Sequence, residues 1–262
     1  MLRQIRLEWL SIFATRKVVL FFVSNILFIA AWTSISVCSR SDNSISLMHC
    51  LFYLLYGERE YLYGQTDGYT LPVLYIMFQI ALFIMTMGGG ITDVASTFNS
   101  SLLNSGTRRR WVTSKILWLF STVLFYYLSE IIIIYILINA SNHTLVIEST
   151  DFNLITKNIA GILVILIFPL ISDLCIALIQ FTLQFFLNPV IALGIIVGYL
   201  VLGAYWKKPF LLGNYCMLIR NKLFSPDGLS WQTGAITIIL TGIATIILSL
   251  IMANRKDFLG NH

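Results

Sequence analysis

Long apolar runs separated by short polar clusters set the rhythm of the chain. Residues 18–36, 71–88, 116–140, 159–186, 189–206 and 235–253 are dominated by Leu, Ile, Val, Phe, Ala and Gly. A hydrocarbon core about 30 Å thick takes roughly 20 helical residues at about 1.5 Å each, so the pattern predicts six transmembrane helices. Ahead of the first run, Leu2, Ile5, Trp9, Ile12 and Phe13 recur at helical spacing while Arg3, Gln4, Arg6 and Glu8 fill the other side. Residues 1–17 are therefore expected to form an amphipathic elbow helix in the membrane interface, with Trp9 at headgroup depth and Arg3 and Arg6 meeting anionic lipid. Residues 45–56 are apolar but too short to cross, which predicts an interfacial or re-entrant helix. No repeat or linker divides the chain, and residues 1–262 are expected to form one transmembrane domain, an all-α polytopic membrane protein.

Composition agrees with this pattern. The chain is 58% hydrophobic and only 11% charged, with a mean hydropathy of +0.84, whereas soluble domains carry about 25% charged residues. The excess of five positive charges is read as a topology signal and not as a nucleic-acid footprint. Arg3, Arg6, Arg16 and Lys17 precede the first run; Arg108, Arg109, Arg110 and Lys115 precede the third; Arg255 and Lys256 follow the last. By the positive-inside rule these mark the cytoplasmic side, with both termini there, and the connections 37–70, 141–158 and 207–234 belong outside. The last connection disagrees with the rule, since it holds Lys207, Lys208, Arg220 and Lys222. The fourth and fifth runs meet in a tight turn at Leu187, Asn188 and Pro189, where Pro suits the first turn of a new helix. A five-span arrangement, with the C-terminus outside, is the alternative topology.

The chain has no GxxxxGK[ST] phosphate loop, GxGxxG, HExxH or GxSxG, so neither ATP hydrolysis nor any other catalysis is expected of it. His49, His143 and His262 are too scattered for a metal centre, and no resident cofactor is expected. Cys38 and Cys50 share one external connection, Cys175 lies inside a span, and Cys216 falls in the last external connection. Two carboxylates interrupt apolar runs. Glu130 and Asp173 each lie about 14 residues, or roughly 21 Å, from the expected start of their spans. A charge there costs about 2.5–3.5 kcal/mol on insertion scales, so each is expected to face the bundle interior or a wet cavity. Two readings follow: a polar lining for a cationic or polar substrate, or a structural hydrogen bond to a neighbour such as Tyr126, Tyr127 or Ser129. Between the second and third runs, Asp93 to Lys115 is the densest polar segment. Its end, Arg108, Arg109, Arg110 and Trp111, serves either to anchor the interface or to dock a cytoplasmic protein; for docking, Thr92, Asp93, Ser96, Thr97 and Asn99-Ser100-Ser101 make the segment long and polar enough for a short helix lying across the membrane surface.

An elbow helix, six spans, a polar second connection and a short basic tail together resemble the permease subunit of a type-two ATP-binding-cassette exporter. The likeness is to small Gram-positive permeases of antimicrobial-peptide systems, whose second connection ends approximately Leu-x-x-Ser-x-x-Arg-x-x-Trp-x-x-Ser-Lys. Here it runs Leu102-Leu103-Asn104-Ser105-Gly106-Thr107-Arg108-Arg109-Arg110-Trp111-Val112-Thr113-Ser114-Lys115, followed later by Gly213-Asn214-Tyr215-Cys216-Met217-Leu218-Ile219-Arg220. The chain departs from the family at Asn104, where an Arg is usual. The resemblance implies a multi-pass protein of the bacterial cytoplasmic membrane, paired with a second copy or a sister permease. It also implies separate cytoplasmic ATPase subunits, which hold the ATP and Mg and couple through Asp93, Arg108, Arg109, Arg110, Trp111 and Lys115. Glu130 and Asp173 are the candidates for the substrate path, and a hydrophobic or cationic peptide is the expected cargo. The competing expectation is a stand-alone bacteriocin-immunity protein or a proton-coupled transporter that uses the same two carboxylates as proton carriers.

Overall fold

The computed structural model describes residues 44–45, 54–62, 69–87, 107–140, 144–145 and 159–255. The expected elbow helix with Arg3, Arg6 and Trp9, the first span, Asp93 and most of the second connection, Cys38 and Cys50, and residues 46–53 of the expected interfacial helix lie outside these. Five long apolar helices occupy the remaining expected positions: α1 (Val73–Met87), α2 (Arg108–Ala140), α3 (Ile159–Leu183), α4 (Pro189–Tyr205) and, after a four-residue helix α5 (Gly213–Cys216), α6 (Trp231–Arg255). Of these, α2, α3 and α6 are long and apolar enough to cross a membrane; α1 and α4 are shorter, with 15 and 17 residues. Large apolar side chains cover the outside of the bundle. On α6, Ile236 and Leu240 are 60% and 64% exposed. A contiguous apolar surface of this extent is a liability in water and the natural boundary in lipid. The chain is a helical membrane protein.

The helices alternate in direction, and their ends meet in two sets. At one end, Arg108 Nη1 donates to the Asn254 carbonyl at 3.0 Å, joining the start of α2 to the end of α6. Trp111 packs against Phe181 and Phe185, bringing the end of α3 to the same level. At the other end, Leu218 N–H and Ile219 N–H donate to the carbonyls of Leu55 and Tyr56, and Tyr61 N–H to that of Tyr205. A two-residue parallel ladder, β1 (Ser44–Ile45) with β2 (Thr144–Leu145), links two further connections. The connections 37–70, 141–158 and 207–234, assigned to one side from charge, therefore contact one another. Ile45, expected to open an interfacial helix, lies in the ladder instead.

Two details differ from the sequence reading. The helix that holds the expected third span, 116–140, begins earlier, at Arg108, so the Arg triplet through Lys115 forms its first two turns; residues 92–101, expected to supply a short surface helix, lie outside the described residues. Thr107 caps this start, its hydroxyl oxygen accepting from Arg110 N–H at 3.4 Å and its carbonyl from Trp111 N–H at 3.2 Å. The helix extends so far because Trp111, Val112 and Ser114 are buried, giving the polar octet an inward face that hydropathy averaging hides. The second concerns the packing of residues 207–234. The connection is not an open loop, since every residue from 211 to 221 is buried. This stretch folds back as α5 and a 3-10 turn (Leu218–Arg220) wedged against α3 and α4. Cys216, expected in this connection, is buried within it beside Asp173.

The turn between α3 and α4 follows its sequence. Asn188 is the N-cap of α4, its side-chain oxygen accepting from Val190 N–H at 3.2 Å, with Pro189 at the first helical position. Gly57, with φ of 73°, faces the Met217 side chain, which a Cβ would approach to 2.6 Å; a left-handed backbone and a close approach both call for glycine there.

Candidate functional site

A seam of polar side chains runs through the middle of the bundle. Asp173 of α3 is fully buried and holds three donors: Gln79 Nε2 of α1 at 3.1 Å, the Tyr127 hydroxyl of α2, and Cys216 Sγ of α5 at 3.1 Å. Around it, Tyr75 donates to the Gly213 carbonyl at 3.0 Å, Ser172 to the Leu212 carbonyl at 2.8 Å, and Tyr126 to the Phe78 carbonyl at 2.8 Å. Toward the Arg-rich end, Gln180 Nε2 donates to the Phe83 carbonyl, and Thr182 shares a hydrogen with Ser249 of α6 at 2.8 Å. Without water, buried polar groups are best satisfied within the protein, and the bonds to Asp173 do so across four helices at once, α1, α2, α3 and α5.

Glu130 lies one turn beyond Tyr126 and Tyr127 on the buried stripe of α2 and is 1% exposed. Neither of its carboxylate oxygens has a hydrogen-bond partner. The neighbours expected to serve it are committed elsewhere: Ser129 donates to the Tyr126 carbonyl, Tyr126 to Phe78 and Tyr127 to Asp173. The two intramembrane carboxylates thus differ sharply. Asp173 is a tie between helices, and Glu130 is an open acceptor.

A second charged centre sits where the ends of α1 and α4 meet the folded-back segment. Arg220 is 2% exposed. Its Nε donates to the Glu58 carbonyl at 2.8 Å, Nη1 to the carbonyls of Gly203 and Trp206 and the side-chain oxygen of Asn214, and Nη2 to the carbonyls of Ala204 and Arg59. Two of these acceptors, Gly203 and Ala204, lie in the last turn of α4 and a third, Trp206, is its C-cap, the negative end of the helix dipole, which suits a cation. Burial pushes the guanidinium pKa down, while Tyr69, Tyr75, Glu60 and Glu58 hold it up. The group stays charged, as arginine does in proteins. This explains why the segment breaks the positive-inside pattern: Arg220 is a structural bolt rather than a surface charge. Beside it a cleft of about 230 Å³ is lined by Arg59, Glu60, Lys207, Arg220 and Asp227, where Lys207 pairs with Glu60 at 3.8 Å and donates to the Asp227 carbonyl at 2.7 Å.

Among the coupling candidates, Arg109 and Arg110 are exposed at the first turn of α2. Trp111 is buried, and Lys115 Nζ lies 5.9 Å from the ring centres of Trp111 and Trp118. Tyr127 was named in advance as a hydrogen-bond neighbour and bonds Asp173; sequence reasoning missed the roles of Gln79, Cys216 and Arg220. Gln79 and Gln180 were visible as amides within apolar runs, but Arg220 carried no signal beyond its charge. Among the described residues no group of three or more His, Cys, Asp or Glu is placed to hold a metal ion. Comparison with protein families, curated proteins and solved structures finds no match.

Proposed function

We propose that the chain is the membrane-spanning permease subunit of an ATP-binding-cassette exporter of the bacterial cytoplasmic membrane, moving a hydrophobic or cationic peptide with ATP hydrolysed by a separate subunit. The observation that carries this reading is the construction of α2. Its 33 residues form one rod, about 50 Å long at 1.5 Å per residue, that starts in exposed arginines and passes through the buried seam. Arg109 and Arg110 offer a partner a cationic contact, while Trp111, wedged between Phe181 and Phe185, fastens the same turn to α3. A push on the first turn of α2 therefore reaches Tyr127 and Glu130 through a continuous helix, and Asp173 through the bond that Tyr127 makes to it. Rigid elements with packed contacts are what transmit such motions. The likeness of residues 102–115 to the second connection of the exporter permeases supports the same assignment of roles.

In this reading ATP and Mg belong to the partner, Asp93 and the elbow residues Arg3, Arg6 and Trp9 complete the inner surface, and a second permease copy or sister subunit completes the path. The test is co-expression with the neighbouring reading frames, one of which is expected to encode the ATPase, followed by affinity purification from detergent. The ATPase is expected to co-purify with the wild-type chain, and Arg109→Glu with Arg110→Glu is expected to reduce its recovery at least about tenfold, the equivalent of about 1.4 kcal/mol. Unchanged recovery from the charge-reversed protein would remove the proposed coupling surface.

A further inference from the structure

We propose that Glu130 alone of the two intramembrane carboxylates meets cargo, and that what it meets is a cationic side chain, an ammonium or guanidinium, of a peptide. This rests on the peptide-export reading and divides the substrate path it leaves undivided. Asp173 already has a donor set from Gln79, Tyr127 and Cys216, so a cation arriving there must displace bonds that hold four helices together. Glu130 has nothing to displace, because both of its oxygens are buried without a partner.

The described part of the chain offers it no base. Lys115, on the same helix, is 15 residues away, about 22 Å along the axis and several times the length of a lysine side chain. Arg220 spends its donors on backbone carbonyls and Asn214 at the cap. A carboxylate held in a low-dielectric bundle without a donor is costly, and that cost is relieved when a donor from outside arrives. Gln79 Oε1, on the amide that serves Asp173, is also buried with no donor, whereas the buried donors without a hydrogen-bond partner, on Trp118 and Gln184, lie nearer the Arg-rich end. A carboxylate with no donor fits a ligand group that only donates, and ammonium and guanidinium offer several N–H donors together with the opposite charge and never accept. Apolar side chains on the same stripe of α2, Val123 and Ile134, suit the hydrocarbon part of such a peptide.

The experiment uses the full chain in nanodiscs of zwitterionic phosphatidylcholine, which gives a cationic peptide no anionic lipid to bind. The probes are an 18-residue amphipathic Leu/Lys helix and its Leu/Gln counterpart. The wild type is expected to bind the Lys peptide and to bind the Gln peptide at least about tenfold more weakly. Glu130→Gln is expected to weaken Lys-peptide binding about 30-fold, as truncating one member of a buried charged pair does. Asp173→Asn is expected to lower the melting temperature while leaving the affinity of the folded fraction within about threefold. Should Glu130→Gln not fold, the wild type supplies a second readout: the Lys peptide is expected to slow hydrophobic-carbodiimide modification of Glu130 and the Gln peptide is not, by mass spectrometry of the adduct. Equal affinity of wild type and Glu130→Gln, equal loss in Asp173→Asn, no binding by wild type, or no protection of Glu130 would each overturn the assignment. No ATPase is present, so a failed co-purification and a failed binding measurement condemn different claims.

Discussion

Two bases of one connection, Lys207 and Arg220, show how little a residue's charge says about its work. Lys207 pairs with Glu60 at 3.8 Å with about a quarter of each side chain exposed, a geometry worth about 0–1 kcal/mol. Arg220, itself 2% exposed, is enclosed by carbonyls of Glu58, Gly203, Ala204 and Trp206 and by the Asn214 side chain. Removing a buried donor costs about 1–3 kcal/mol for each acceptor left alone. Arg220→Met, which keeps length and loses every donor, is expected to destabilise the protein by at least about 3 kcal/mol. Arg220→Lys, with three donors in place of five, should fall between Met and wild type. Lys207→Ala is expected to shift stability by less than about 1 kcal/mol. Thermal unfolding in one detergent, followed by intrinsic fluorescence, ranks the set; an Arg220→Met protein as stable as Lys207→Ala would show that the carbonyl cage contributes nothing.

At the scale of elements, the apolar runs announced the helices well because a span needs uninterrupted hydrocarbon, and the Asn188–Pro189 turn was legible because both residues act locally. The start of α2 was not, since Arg-Arg-Arg-Trp-Val-Thr-Ser-Lys is hydrophilic on average while only its Trp111, Val112 and Ser114 positions are buried. The fold-back of α5 was hidden for another reason. Its stability comes from partners distant in sequence, such as Leu55 and Tyr56 holding residues 218 and 219, and neither periodicity nor charge reveals those. The candidate site divided the same way: Glu130 and Asp173 were found as charges in apolar runs, whereas their unlike surroundings required the packing. Gly234 gives a direct check on this packing. A Cβ there would lie 2.7 Å from the rings of Phe168 and Tyr215, and Tyr215 is anchored by its hydroxyl to the Pro209 carbonyl at 2.9 Å. Helix propensity alone favours Ala over Gly by about 1 kcal/mol, yet overpacking costs about 1–3 kcal/mol, so Gly234→Ala is expected to be neutral to destabilising by about 2 kcal/mol. A clear rise in melting temperature would mean that α6 does not press on α5 as described.

For the whole molecule, the contacts between connections constrain topology more tightly than charge counting does. Residues 54–62 and 205–231 are joined by backbone hydrogen bonds, by Arg220 and by the Lys207–Glu60 pair, so they must share one face of the membrane. Arg108 and Asn254 are likewise joined, and helix α2 carries one set away from the other. With Arg220 withdrawn into a cage of carbonyls, the capped end presents Arg59, Lys207, Lys208 and Lys222 against Glu58, Glu60 and Asp227, a near balance, while the other end presents the Arg triplet; the positive-inside rule then points one way. Single cysteines can test this because Cys175 and Cys216 are buried and should not react with a membrane-impermeant maleimide. In a Cys38→Ser, Cys50→Ser background, Ser225→Cys is expected to label on intact cells and Arg109→Cys only after permeabilisation. The reverse pattern would keep the fold and invert its orientation, placing the arginines where no cytoplasmic ATPase can reach them. Labelling of both positions from one side is the graver result, since a single helix cannot then carry the cap and the Arg-rich end to opposite faces of the bilayer.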